Sequence, residues 1–460
     1  MQYERQIFCK LPPFTKKRTK ENQTMIQQFF RQAWTMMKQH RLFTGMYIAG
    51  TAISIAMAMA IFIILYIKLG PIYPEYNRDR TVSMSLIYCE GEGENKTRMY
   101  GVASPIFLQK IREEAKHLDE MCIYKEKQWY DDEIVVTSVK SEAETDTYSF
   151  SRVDSKFWKV FDFNFIDGRP FTYQEEDKPL VIITSKIAKE LFSKENVSGE
   201  DIYIDTVRYK IAGVVEEANT CIGTAYTNDH LWIPSQYKYD GYDHRDHIIG
   251  NDSPVMLATS PEATDSLINE IKDIFERLKQ EQAGSKYSDY EIYLNKYWED
   301  ALNLSSLQEG RKNSFFAAIA KYLYIILAFL LIPALNLSGM ISSRMSSRMV
   351  EVGVRKAYGA SDQSIIRQVL YENLLLTTIG AVIGLALSYL TMSVGYKWVM
   401  SIFDKGSNNI VSGVTTEMLF NPTIIIVVLL LTLVINIASA LVPTIFALRS
   451  NIIEALYHKR

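Results

Sequence analysis

Four long stretches of this 460-residue sequence contain no Asp, Glu, Lys, Arg or His: residues 42–67, 322–343, 373–396 and 418–448. Each matches the ~20 residues that a helix needs to cross a bilayer, so the sequence describes an anchored, multi-pass membrane protein and not one soluble domain. The missing intramembrane charge also argues against ion-coupled transport, whose proton and ion pathways are usually marked by such groups. The first stretch begins only at residue 42 and ends without a small-residue cleavage site, so it is expected to stay as an anchor and not to be removed as a signal peptide.

Cysteine is scarce, with four in the chain. Cys89, Cys122 and Cys221 fall in the long segment after the first stretch, and an odd number cannot pair completely; one bridge and three reduced thiols are both open. No CxxC or Cys/His spacing suggests zinc. A phosphate loop is also missing. The nearest imitation, Gly91 to Thr97 (GEGENKT), has Lys96 and Thr97 but lacks the glycine before the lysine and a helical pattern after it, so it reads as an outer loop. No hydrolase triad is visible. His244 and His247, with Asp243, Asp246 and Asp252 nearby, are ligand-type residues, but HxxH alone is a weak signal and an exposed polar loop explains it. Catalytic residues, a cofactor, a metal and a nucleic-acid partner are therefore not expected.

What is present is charge sorted by segment. Residues 1–41 carry nine basic and two acidic side chains, residues 344–372 five and three, and residues 449–460 three and one. Residues 68–321 hold 31 basic and 45 acidic side chains. Lys and Arg mark the cytoplasmic side, so both termini and the 344–372 loop belong inside and the acidic segment outside. The expected order is an inner arm with an amphipathic helix (1–41), a first span (42–67), an extracytoplasmic domain (68–321), a second span (322–343), an inner loop (344–372), a third span (373–396), a short outer loop (397–417), a fourth span (418–448) and an inner tail (449–460). The fold class is an α-helical membrane protein with four transmembrane helices plus a large α+β extracytoplasmic domain between helices 1 and 2.

Within the inner arm, Met25, Ile26, Phe29, Phe30, Ala33, Trp34, Met36 and Met37 form a helical apolar stripe suited to lying on the membrane surface. In the outer segment, Ser104 with Pro105 and Ser260 with Pro261 signal two helix starts. Leu180 to Ile183, Ser185 to Phe192 and Ile202 to Val215 read as a strand, a helix and two strands, and Val255 to Ala258 opens a further β-α-β run, so two packed modules are expected. Residues from Trp298 through Phe316 carry no proline and read as a helical stalk into the second span. Gly380 with Gly384, and Ala52 with Ala56 and Ala60, make small-residue faces for close helix contact, either within the chain or with a second copy. Asn336 and Asn436 are read as helix-joining polar groups.

The inner loop contains EVGVRKAYGAS, residues 351 to 361. Val350, Val354 and Tyr358 share one helical face, with Glu351, Arg355 and Lys356 beside it, and such a charged amphipathic helix suits a groove on a partner. This segment resembles the loop signature of FtsX-like permeases of ABC transporters, from which Tyr358 departs, where a smaller aliphatic residue is common. FDFNFIDGR (161 to 169), PLVIITSKIAKELF (179 to 192) and the strand ending IAGVVEE resemble the periplasmic domain of macrolide-exporter permeases.

The resemblance implies contact with an ATPase subunit through Val350, Glu351, Val354, Arg355, Lys356, Ala357, Tyr358, Gly359 and Ala360. It also implies that ATP and Mg are bound by that partner, that a second permease copy or homologue completes a dimer in the bacterial inner membrane, and that a periplasmic adaptor and an outer-membrane channel are possible partners. Export is the leading expectation. A non-transporting mechanotransmitter that regulates a cell-wall hydrolase is the alternative.

Overall fold

The computed structural model describes residues 38, 41–91, 98–125, 134–138, 141–204, 207–218, 227, 229–235, 248–281, 287–302, 315–403 and 419–449. The chain divides into two compact units, one of residues 63–320 and 396–418, the other of residues 1–62, 321–395 and 419–460. The amphipathic stripe at Met25 to Met37, the His244/His247 loop, most of the GEGENKT loop and Cys221 lie outside the described residues, as does most of the stalk between Trp298 and Phe316.

After helix α1 (Arg41–Leu69), the first of these units begins with β1 (Thr81–Gly91), β2 (Arg98–Ala103), α2 (Pro105–Glu114) and β3 (Leu118–Lys125). It continues through β4 (Ile134–Ser138), β5 (Ser141–Tyr148), β6 (Phe150–Val153), α3 (Phe157–Val160) and β7 (Phe165–Gly168). Next come β8 (Leu180–Thr184), α4 (Ser185–Phe192), β9 (Asp201–Ile204), β10 (Val207–Val215) and β11 (Leu231–Pro234). It closes with β12 (Ile249–Gly250), β13 (Ser253–Ala258), α5 (Thr264–Glu281), β14 (Tyr287–Lys296) and α6 (Tyr297–Ala301). The strands form one sheet in the order β12-β2-β1-β13-β3-β6-β11-β8-β10-β9-β4-β5, with β14 on β1 and β7 on β10. Only β8 with β10 and β6 with β11 pair in parallel among the described strands.

Both expected helix starts form. Ser104 Oγ accepts from Phe107 N at 3.1 Å with Pro105 in the first turn, and Ser260 Oγ accepts from Ala263 N at 3.3 Å, each satisfying an amide that a helix start leaves open. The apolar faces that follow pack as their spacing demands: Phe107, Leu108 and Ile111 of α2 meet Leu267, Ile271, Ile274 and Leu278 of α5 in one buried cluster with β1 and β14. A second cluster gathers Val181, Ile183, Ile187, Ile202, Ile211 and Val214 around α4. The two modules are thus distinct in their cores yet share a single sheet, and a third cluster centred on Phe157, Phe163 and Trp232 lines the strands between them. Cys89 and Cys122 are both buried.

The helical unit holds the N-terminal part of α1 together with most of α7 (Phe315–Ala357) and α8 (Asp362–Phe403) and with α9 (Pro422–Arg449). Among the described residues, three helices are long and apolar enough to cross a membrane: Arg41–Leu69, Asp362–Tyr396 and Pro422–Leu448. In α7 the apolar stretch described, Phe315–Leu331, is shorter. The small-residue face of α8 is used inside the chain. A Cβ on Gly380 would lie 2.9 Å from Thr51 Cβ, and one on Gly384 would lie 2.7 Å from the Ala52 carbonyl oxygen, so α1 and α8 meet backbone to backbone there. Thr377 Oγ1 bonds Tyr47 Oη at 3.1 Å and accepts from Asn436 Nδ2 at 3.2 Å, all three buried, which joins α1, α8 and α9 through one hydroxyl. Asn436 therefore acts as the expected helix-joining group; the side chain of Asn336 lies outside the described residues.

Candidate functional site

The C-terminal end of α7 folds as its sequence dictates. Gly359 has φ +88°, a left-handed value open to glycine at little cost. Gly359 N donates to Lys356 O at 2.9 Å and Ala360 N to Arg355 O at 3.0 Å, the paired bonds of a Schellman stop. Two residues later Ser361 O accepts from Ser364 N at 3.0 Å, and α8 begins at Asp362. The Arg-Lys-Ala-Tyr-Gly-Ala-Ser run is thus a helix stop, a turn and a helix start, and the expected loop 344–372 is helical on both sides of a break at Tyr358 to Ser361.

The charged residues of the run face inward. Arg355 Nη1 donates to Gln368 Oε1 at 2.6 Å, and Gln368 Nε2 donates to the buried Glu372 Oε1 at 3.2 Å. Lys356 Nζ lies 2.6 Å from Asp362 Oδ1 and 3.5 Å from the Leu448 carbonyl, one of the last of α9, where a cation complements the helix dipole. Beneath them Ile341, Val352, Ile365, Val369, Ala440 and Leu448 make a buried cluster from α7, α8 and α9. Val354 and Tyr358 point away from it, 52% and 90% exposed.

Of the nine residues the sequence singles out, the structure presents Val354, Tyr358 and Gly359 to the outside, half-buries Arg355, Lys356 and Ala360, and shows helical backbone at Val350, Glu351 and Ala357, whose side chains lie outside the described set. Gln368, Asp362 and Glu372 were missed. They follow the turn, so their nearness to Arg355 and Lys356 becomes legible only after Gly359 is placed as a helix stop.

The second motif, FDFNFIDGR, is built for structure. Phe161 and Phe163 are buried against Phe157. Gly168, at φ +71°, faces Gly213 across β7 and β10, and a Cβ on it would strike the Ala212 carbonyl. Arg169 grips Glu175 with two bonds of 2.8 and 2.9 Å, which holds that carboxyl well below the usual range. The aromatic run supplies core, the glycine lets two strands approach, and the ion pair ties down the turn that follows.

Residues 44–274 match the MacB-like periplasmic core domain, and residues 323–452 match the FtsX-like permease C-terminal domain. Among curated proteins, the chain is 25% identical over 228 residues to a macrolide export ATP-binding/permease protein, MacB, of Bdellovibrio bacteriovorus, covering 48% of this chain and 32% of that one. It is 25% identical over 244 residues to a pyoverdine export ATP-binding/permease protein, PvdT, of Pseudomonas aeruginosa, covering 51% and 33%. The chain thus spans about a third of the length of these relatives. The solved periplasmic region of MacB from Actinobacillus actinomycetemcomitans is 14% identical, with a TM-score of 0.33 over 51% of this chain and 94% of that one.

Proposed function

This chain belongs to the family that joins a MacB-like periplasmic core domain to an FtsX-like permease C-terminal domain, and from that premise we propose that it is the membrane subunit of an ABC exporter, driven by an ATPase carried on another polypeptide. The observation that carries the reading is the α7–α8 turn, where Tyr358 is 90% exposed beside Val354 while Arg355 and Lys356 are bonded to α8 and α9. An aromatic and an aliphatic side chain held out on a braced turn are suited to anchor in a groove of a partner, and the brace would pass the partner's movement to the helices. The second span falls in α7, both termini face the cytoplasm, and a second permease copy completes the complex. The ATPase supplies the nucleotide chemistry; this chain supplies the moving parts.

The test has two arms. In a background with Cys9, Cys89, Cys122 and Cys221 each replaced by Ser, Tyr358→Cys should react with a membrane-impermeant thiol reagent only when the inner side of the membrane is opened to it. Tyr358→Ala should reduce the amount of ATPase that copurifies with the chain. Labelling of Tyr358→Cys from outside intact cells would end the proposal.

A further inference from the structure

Charged side chains are seldom fully buried unless paired, yet Lys68, Glu75 and Arg78 are 5%, 3% and 4% exposed in one cluster at the outer end of α1. Arg78 Nε donates to Glu75 Oε2 at 3.0 Å, while Nη1 donates to the Ile67 and Gly70 carbonyls at 2.9 and 2.8 Å. The Ile67 carbonyl lies in the last turn of α1, where carbonyls have no partner within the helix, and Gly70 follows the helix end. Glu75 also accepts from Thr227 Oγ1 at 2.6 Å and from the Tyr297 hydroxyl at 2.9 Å. The Arg78 guanidinium lies over the Tyr297 ring, 4.8 Å from its centroid. Lys68 Nζ donates to the carbonyl of Ala301, the last residue of α6, at 3.1 Å. The ends of α1 and α6, which flank the outer domain in sequence, are therefore fastened to each other by buried charge.

We propose that Lys68, Glu75 and Arg78 are positioning residues that weld the outer end of α1 to α6, so that movement of α1 reaches both borders of the outer domain together. A buried ion pair is often no more stabilising than apolar residues of the same size, so stability alone is a poor reason for three buried charges. Geometry is a better one. The rigid guanidinium fork fixes one carboxylate oxygen and two carbonyls in a single arrangement, and residues 70–78, the connection after α1, become part of the joint. The inference rests on the proposed function for its source of movement, but the joint itself is testable without the ATPase.

The experiment is hydrogen exchange on the full chain in lipid nanodiscs. Without nucleotide, Arg78→Gln should speed exchange of amides in residues 66–78 and 297–302 by about tenfold or more and leave the core strands β8 and β10 unchanged. Arg78→Lys, which keeps the charge but loses the fork, should fall between the two. Unchanged exchange at residues 66–78, or an equal rise in β8 and β10, overturns the joint. With the copurified ATPase, adding ATP should alter exchange in the outer domain of the wild type and no longer do so in Arg78→Gln, while the change near Tyr358 persists. An outer-domain response that survives in Arg78→Gln also overturns the proposal. A wild type with no outer-domain response removes the proposed function instead, and the nucleotide-free comparison then decides the joint alone.

Discussion

Lys356 Nζ and Asp362 Oδ1 stand 2.6 Å apart across the turn between α7 and α8, and the same ammonium reaches the Leu448 carbonyl of α9. One side chain therefore ties together the adjoining ends of three helices. Because Asp362 is more than half exposed, the ion pair contributes only ~0.5 kcal/mol or so to stability, and its value is in fixing the direction in which Tyr358 projects.

This arrangement separates docking from bracing. Tyr358→Ala removes a side chain that touches little within the chain, so thermal stability should change by no more than ~0.5 kcal/mol. If Tyr358 is an anchor, affinity for the ATPase should fall by ~2 kcal/mol, about thirtyfold. Arg355→Met together with Lys356→Met should show the reverse order, with a larger loss of stability and a smaller loss of ATPase binding. Titration of the purified ATPase onto nanodisc-held variants, beside their unfolding curves, distinguishes the two roles.

The turn depends on Gly359. At φ +88° a β-carbon is strained, so Gly359→Ala should cost about 1–2 kcal/mol, and Gly359→Asn, which tolerates the left-handed region better, should cost less. Nothing lies within 4 Å of the Cβ position, so the cost comes from backbone strain alone. Equal stability of Gly359→Ala and wild type in denaturant titration would contradict this.

Much of this was legible because the local signals were strong and agreed. Ser-Pro pairs followed by apolar residues at helical spacing announced α2 and α5, and the uninterrupted run at Leu180 to Ile183 announced a strand buried on both faces. Gly380 and Gly384 revealed that α8 has a close-packing face but not what it meets, since a small-residue stripe encodes no partner; Thr51, Ala52 and Ile55 of α1 fill it. The Lys68, Glu75 and Arg78 cluster gave no signal. A charged residue just beyond a span looks like ordinary interfacial polarity, and its burial arises from Thr227 and Tyr297, distant in sequence. The two modules likewise looked separate because strand pairing across a shared sheet leaves no local trace.

Gly384 therefore offers a sharp packing test. Gly384→Ala would put a methyl 2.7 Å from a backbone oxygen of α1 and 2.9 Å from Ile55 Cβ, and neither can swing away as the end of a flexible side chain would. Overpacking of this kind costs roughly 1–3 kcal/mol. Val434→Ala on α9, 63% exposed, should be nearly silent. Similar unfolding of both variants in mixed micelles would show that α1 and α8 do not meet as described.

The outer domain should also lose stability as pH rises toward neutrality, because of Asp154. Its carboxyl is 6% exposed at the end of β6. Oδ1 accepts from Phe157 N at 3.2 Å, capping α3, and Oδ2 meets Arg112 Nη2 at 3.5 Å. Burial raises its pKa from 3.8 to about 7; the backbone bond from Ile123 opposes this, the buried Glu176 carboxylate adds to it, and Arg112 opposes it. A folded-state pKa above the unfolded value means that the native state holds the proton more tightly, so the contribution is complete below pH ~4 and disappears as pH climbs through ~7. A rise of this size corresponds to something on the order of 4 kcal/mol. Asp154→Asn keeps an oxygen for the Phe157 amide and cannot titrate. It should flatten the decline between pH 4 and 7 and leave the variant at least as stable as wild type at pH 8. Glu175, held low by Arg169, acts in the opposite direction, losing its contribution as pH falls through its depressed folded pKa. Its partner Arg169 is 61% exposed, so solvent screening keeps this effect small. If Asp154→Asn retains the full wild-type slope in denaturant unfolding between pH 4 and 7, the buried carboxyl is not the group responsible.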